Sequence, residues 1–210
     1  MADVAEVGQA LVSVITQAAY PNGIDQPSIT GCDIAVFQGW PKFEALSAAL
    51  DAGHVQISVF PRPDERVTTV TADDGGWDEQ SHEDKTGIGL REIRRQTRTF
   101  QITVWANRPD ARDCVAKAVD GALATLSRLR LPDGTEGIMA YVNSVQDDGW
   151  QKQRIYRRDV FYAVNYPTVQ TQTYPVIRHV QTNVSTGPAP DMQGPVKTII
   201  TSAHTTRAER

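Results

Sequence analysis

The stretch "RTFQITVWANRPDARDCVAKAVDGALATL", Arg98 to Leu126, constrains the fold more than any other part of the chain. Phe100, Ile102, Val104 and Ala106 occupy alternate positions, and Thr97, Thr99, Gln101 and Thr103 occupy the others. Successive side chains of a strand point to opposite faces, so this pattern makes a strand with one buried and one polar face. The period then changes. Val115, Val119, Ala122, Leu123, Leu126 and Leu129 recur at helical spacing and supply a core stripe. Asn107 is the expected N-cap, with Asp110 and Asp113 near the positive end of the helix dipole.

Other segments extend the same alternation of elements. Val4, Val7, Leu11, Val14, Ile15 and Ala18 form one stripe of an N-terminal helix capped by Asp3 and stopped at "PNG". "CDIAVFQG" reads as a short buried strand. "WPKFEALSAALDAG" reads as a helix with Pro41 in its first turn and Gly53 at its end, and "HVQISVF" as a half-buried strand. "LPDGTEG" is a turn, "IMAYVNSVQ" a strand and "DDGW" a hairpin turn. In the last strand, Arg154 to Tyr166, Val160, Tyr162, Val164 and Tyr166 share a face. The order predicts an α+β domain with a mainly antiparallel sheet and helices packed on one face. It contains a β-α-β-β-α-β-like core with an added N-terminal helix.

Two segments fall outside this pattern. Residues 62–97 contain the acid-rich run "TADDGGWDEQSHEDKT", a long connection inside a domain, with a projecting strand hairpin as the alternative. From Pro167 to Arg210 the chain becomes rich in Thr and Pro, which argues for a domain over 1–166 and an extended arm over 167–210. The arm has four cations, Arg178, Lys197, Arg207 and Arg210, against Asp191 and Glu209; it is +2 and the remainder −6 of a net −4. "YPVIRHVQTNV" and "PVKTIIT" keep strand-like alternation, unlike a generic disordered tail. Terminal strands of this kind suit pairing with an exposed sheet edge of another subunit. The alternatives are a strand returning to its own sheet, an unstructured tail, and a segment occupying a peptide groove of its own domain.

A net charge of −4 gives no basic excess for binding nucleic acid through its phosphates. Cys32 and Cys114 stand far apart without ligand spacing, so two reduced thiols in a cytoplasmically folded protein are expected, with no metal. "MADVAEVGQALVSVITQAAY" lacks the basic start of a secretory signal, and no apolar run reaches the roughly 20 residues of a membrane span. None of the GxGxxG, GxxxxGK[ST], HExxH or GxSxG patterns occurs, and "DDGGWDE" lacks the acid spacing of a calcium loop. His54, His82, His179 and His204 lie in unrelated segments. No catalytic residue and no cofactor is predicted. The residues that remain as candidates are for assembly.

"FQGWPKFEALSAAL", "HVQISVFPRP", "RTFQITVWANRPDARDCVAKAVDGAL" and "RIYRRDVFYAVNYPT", behind the N-terminal helix, together resemble the tail terminator (tail-completion, head–tail joining) proteins of tailed bacteriophages. The resemblance runs from Val4 to Thr168, and its most telling piece is the terminal "YRRD-aromatic-Y" strand; the arm lies outside it. It implies a virion structural subunit assembled in the host cytoplasm into a ring, commonly a hexamer, at the head-proximal end of the tail tube. The ring ends tube polymerisation and offers a docking face to the head connector. Its expected partners are sibling copies, the tube protein and the connector, with DNA passing through the lumen without sequence-specific binding and no membrane. Asp73, Asp74, Asp78, Glu79, Glu83 and Asp84 are the expected lumen or inter-ring residues. Arg157, Arg158, Tyr174, Val176, Ile177, Val180, Val196, Ile199 and Ile200 are the expected inter-subunit strand and arm. A collar or connector-stopper ring is the near alternative, and a small enzyme with a site assembled from distant residues the remote one.

Overall fold

Asp3 caps the first helix, α1 (Val4–Ala19), and Glu6 reaches back to the Asp3 N–H at 2.8 Å, completing a capping box. Val7, Leu11, Ile15 and Ala19 form its buried stripe, and the helix stops before Tyr20 and Pro21. The computed structural model describes residues 3–69, 78–81, 86–175, 180–186 and 197–203. The chain divides into two compact units, Met1–Trp77 with Arg91–Thr171, and Asp78–Leu90 with Gln172–Arg210.

The first unit continues with β1 (Ile34–Gln38), α2 (Phe43–Asp51) and β2 (Val55–Thr69). Gly53 holds φ +84 just beyond α2, a backbone angle suited to glycine at a helix end. After β3 (Asp78–Ser81) come β4 (Thr86–Ala106), α3 (Pro109–Thr125), β5 (Arg128–Arg130), β6 (Glu136–Asp147) and β7 (Tyr156–Pro175). The strand order is β1-β2-β4-β7-β6-β5. β1 pairs parallel with β2, while β2–β4, β5–β6 and β6–β7 are antiparallel. The fold is α+β.

Alternation decides the two faces. Val55, Ile57 and Val59 of β2, Phe100, Ile102, Val104 and Ala106 of β4, and Val160, Tyr162, Val164 and Tyr166 of β7 join α1 and α3 in one core. Val115, Val119 and Leu123 of α3 fill it as the spacing predicts, whereas Leu129 enters from β5. The expectation of helices on one face describes α1 and α3. The third helix differs: Leu46 and Leu50 of α2 cluster with Trp105 and Ile155, and Trp105 points opposite to Val104.

Three further details differ from the sequence reading. The N-cap of α3 is Arg108, not Asn107, because Pro109, pre-set in φ and lacking a donor, takes the first helical position. β1 is an edge strand whose residues after Ile34 are partly or fully exposed, not a buried strand. β2 and β4 extend as a ribbon into residues 62–97, with Glu65 opposite Arg98 and Thr69 opposite Arg94 after a register shift between Pro61 and Glu65. That is the hairpin alternative, favoured by the β-branched residues of "RVTT", which suit a strand.

β7 does not stop at Tyr166. The buried alternation Val160, Tyr162, Val164, Tyr166 continues to Thr168. Tyr166 Oη donates to Gln96 Oε1 at 2.9 Å, and Gln96 Nε2 donates to Thr168 Oγ1 at 3.0 Å. The network satisfies polar groups that burial would otherwise penalise, and it holds Pro167 within the strand. Tyr162 Oη donates to Asp120 Oδ1 at 2.7 Å, and burial followed by this hydrogen bond raises the phenol's pKa well above its ordinary value.

In the second unit β3 pairs antiparallel with the Gly87–Leu90 end of β4, placing Asp78 opposite Leu90 and Glu79 opposite Gly89. β8 (Val180–Thr186) and β9 (Lys197–Ala203) form a two-stranded antiparallel sheet, with Val180 opposite Ala203 and Ile199 opposite Val184. The two strands of the predicted arm therefore partner each other.

Leu11 is fully buried at the centre of the α1 stripe. Leu11→Ala is expected to cost about 2–5 kcal/mol, read as a lower urea midpoint with an unchanged slope. A loss under about 1 kcal/mol would contradict this packing.

Candidate interaction surfaces

Gly39, at φ +91, turns the chain out of β1 so that Trp40 and Pro41 lie ahead of α2. The Trp40 ring meets the Trp105 ring edge-to-face with centroids 5.4 Å apart, and meets Phe60 at 6.1 Å. Edge-to-face geometry places the positive rim of one ring on the negative face of another. Phe43, on α2, lies 6.2 Å from Trp150, which sits in the turn between β6 and β7. Leu46, Trp105 and Ile155 floor the resulting cleft of about 170 Å³. Its upper aromatics remain open to solvent, Trp40 by 51%, Phe43 by 57% and Trp150 by 52%.

A cation is fixed beside these rings. The Arg157 guanidinium stands 5.1 Å from the Trp40 centroid. It donates through Nε and Nη2 to the two carboxylate oxygens of buried Asp159, at 2.9 and 2.7 Å. The bidentate pairing orients the guanidinium, and the Trp40 π-face adds a second restraint. Large aromatic side chains with few rotors, held before any partner arrives, lose little entropy on binding. Tryptophan, tyrosine and arginine are also the residues that most often dominate interface energies.

The turn that carries Trp150 is held by a second arginine. Arg112, on α3, is buried and donates to Asp113 through Nε at 2.9 Å and Nη2 at 3.1 Å. Its Nη1 pairs with Asp148, two residues before Trp150, and its Cζ lies 5.9 Å from the Tyr156 ring centroid. Burial opposes the Arg112 charge, but the hydrogen bonds and charges of Asp113 and Asp148 outweigh it and raise the pKa. The hydrogen bond from Arg112 lowers the pKa of Asp113. Arg158 reaches Asp113 at 3.9 Å and donates to Ser144 Oγ at 3.2 Å.

The second surface is an edge. β5 pairs with β6 over Glu136–Ile138 and the Met139 N–H reaches the Ser127 carbonyl, so over 140–147 β6 has β7 on one side and no strand on the other among the described residues. Tyr141, Val142 and Val145 are 54%, 50% and 48% exposed, and a register shift between Tyr141 and Asn143 sets Val142 out of the ladder.

Of the sequence-predicted residues, Arg157 adjoins the aromatic cleft and Arg158 the Asp113–Ser144 contacts. Tyr174 lies in β7, Val180 in β8, and Ile199 and Ile200 in β9; Asp78 and Glu79 lie in β3. Asp73, Asp74, Glu83, Asp84, Val176, Ile177 and Val196 lie outside the described residues. The aromatic cleft is absent from the sequence reading. Its signal was Trp105, the one large apolar residue among the Thr/Gln positions 97–105 of β4, together with Trp40 and Trp150, each directly after a glycine.

Two hollows along α1, of about 330 and 460 Å³, are open. Among the described residues the groups with shifted pKa values, Arg95, Arg112, Asp113 and Tyr162, line neither of them nor the aromatic cleft. Among the described residues no group of three or more His, Cys, Asp or Glu is placed to hold a metal ion, and no helix is long and apolar enough to cross a membrane.

No family model and no curated protein sequence matches the chain. Solved structures do resemble it. One is the sheath/tube terminator of an extracellular contractile injection system in its extended state, with TM-score 0.45 and 14% identity. That likeness covers all of this chain but 66% of the other. Another is a chain of a native gene transfer agent virion, with TM-score 0.37 and 16% identity over 77% of this chain and 98% of that one.

Arg112→Ala removes a buried charge with two partners and is expected to destabilise the fold by about 3 kcal/mol and red-shift tryptophan emission as the Trp150 turn loosens. Asp113, whose folded pKa is depressed, contributes stability above its unfolded pKa that is lost as pH falls through its folded one. The Tm advantage of wild type over Asp113→Asn is therefore expected at neutral pH and to vanish below the ordinary aspartate range, about pH 4. A pH-independent difference would show that the carboxylate charge is not what matters.

Proposed function

We propose that this chain is a tail terminator of a tailed-phage-like particle. Copies form a closed ring, commonly six, at the head-proximal end of the tail tube, stop its polymerisation and present a face to the head connector. The reading takes its class from the sequence resemblance over Val4 to Thr168. The observation that carries it is the aromatic cleft: prearranged, half-exposed anchors around a fixed guanidinium suit a protein partner better than a small-molecule reaction.

The acids Asp73, Asp74, Asp78, Glu79, Glu83 and Asp84 then belong at the lumen or an inter-ring face, where negative charge discourages DNA from adhering during passage. Arg157 and Arg158 belong at the contact between subunits. The segment over 167–210 serves attachment to a neighbour.

Native mass spectrometry and negative-stain microscopy test the reading. The purified chain is expected to form closed rings, and added tube subunits to stop growing once capped. A persistent monomer that leaves tube lengths unchanged would end the proposal. Within it, Trp150→Ala is expected to weaken assembly by about 2 kcal/mol, roughly thirtyfold in the association constant, with Tm nearly unchanged. Wild-type assembly by that variant would remove the cleft from the interface.

A further inference from the structure

We infer that the β8–β9 hairpin of one copy adds to the free edge of β6 on the next copy; this rests on the ring reading and names the contact that closes it. The acceptor is the stretch over 140–147, whose outer side has no strand among the described residues and which begins just past the Met139 N–H bonded to the Ser127 carbonyl. Natural edges are usually blunted by lysine, proline, short length or bulges. This stretch has no lysine or proline and a single charge, Asp147; its bulge at Val142 is the sole such device. Half-exposed Tyr141, Val142 and Val145 add apolar surface for an incoming strand to cover.

The donor has the complementary need. A two-stranded sheet standing alone is marginal in water, and a third strand is the usual remedy. β8 and β9 are each seven residues long and supply seven register pairs to each other and to no other strand among the described residues. "VQTNVST" and "KTIITSA" consist largely of Val, Ile and Thr, residues that favour strands. At about 3.3 Å per residue a strand of this length spans about 23 Å, within the length of the free β6 edge.

Charge points to the same pairing. Lys197 is the one charged residue in β8 and β9, and Asp147 is the one in the acceptor stretch, of opposite sign. More broadly, residues 167–210 carry +2 and the remainder −6. The attraction is between copies as well as along the strand, and it weakens with salt. Donor and acceptor are different surfaces, so the contact is head-to-tail and propagates until it closes.

Three measurements on the full chain test this. Hydrogen exchange compares assembled with diluted wild-type protein: amides over 140–147 and 180–186 are expected to slow at least tenfold on assembly. Val142→Lys with Val145→Lys, at half-exposed positions, is expected to lower the ring fraction at least tenfold with unchanged Tm. Carbodiimide cross-linking of mixed ¹⁴N and ¹⁵N protein is expected to join Lys197 to Asp147 in mixed-isotope pairs. Rings that form while 140–147 exchanges rapidly, or links confined to single-isotope pairs, would overturn the inference and leave the ring reading standing. Protection of 140–147 only after tube subunits are added assigns the edge to the tube and overturns it too. Absence of rings under every condition overturns both.

Discussion

The opposition of Val104 and Trp105 across one strand organises the first unit. Adjacent in sequence, they face opposite sides of the sheet because a strand alternates its side chains. Val104 enters the core shared by α1 and α3, and Trp105 floors the aromatic cleft with Leu46 and Ile155. A slip of one residue in the β2–β4 register would exchange these environments, putting threonine and glutamine into the core and valine into the cleft. The pairing Ile57↔Val104 therefore sets core and interaction surface together. Neither can shift without the other.

Period-two and helical spacing made much of this architecture legible. The stripes of α1, α3, β4 and β7 emerged because each has one apolar and one polar face, and a one-sided element carries its orientation in its spacing. What escaped has physical causes as well. The polar face of β4 ends in Trp105, and a lone aromatic after four polar positions does not reveal that Trp40, Phe43 and Trp150 converge on it from two other segments. Arg112 reads as a surface residue of an amphipathic helix until Asp148, 36 positions away, supplies a partner. The β7 extension past Pro167 was hidden because proline usually marks a strand's limit, and only the Gln96 network at Thr168 shows the alternation carrying through. The pairing of β8 with β9 lay in two short, well-patterned runs whose mutual register no local rule fixes.

Arg112 also illustrates how stability and placement divide. A buried ion pair offsets its own desolvation and is weak evidence for net stabilisation, so its value here lies in where it puts things. One guanidinium ties α3 to the β6–β7 turn through Asp113 and Asp148, and stands by the Tyr156 ring at the start of β7. The turn would otherwise depend on local bonds, such as Gln153 N–H to Trp150 C=O at 2.9 Å and Gly149 N–H to Asp147 Oδ1 at 2.9 Å. Fixing a surface tryptophan in advance moves an entropic cost from association to folding.

At the other end of the sheet, the Tyr20 hydroxyl accepts from the Ile34 N–H at 2.8 Å and donates to the Ile34 C=O at 3.1 Å. Both groups point away from β2, since the neighbouring Asp33 carbonyl serves Val55. A newcomer to the β1 margin would have to evict a phenol to form ladder bonds at Ile34. A sheet whose two margins are finished differently receives a newcomer differently at each. Polarity of that kind is what lets identical pieces join in sequence without branching.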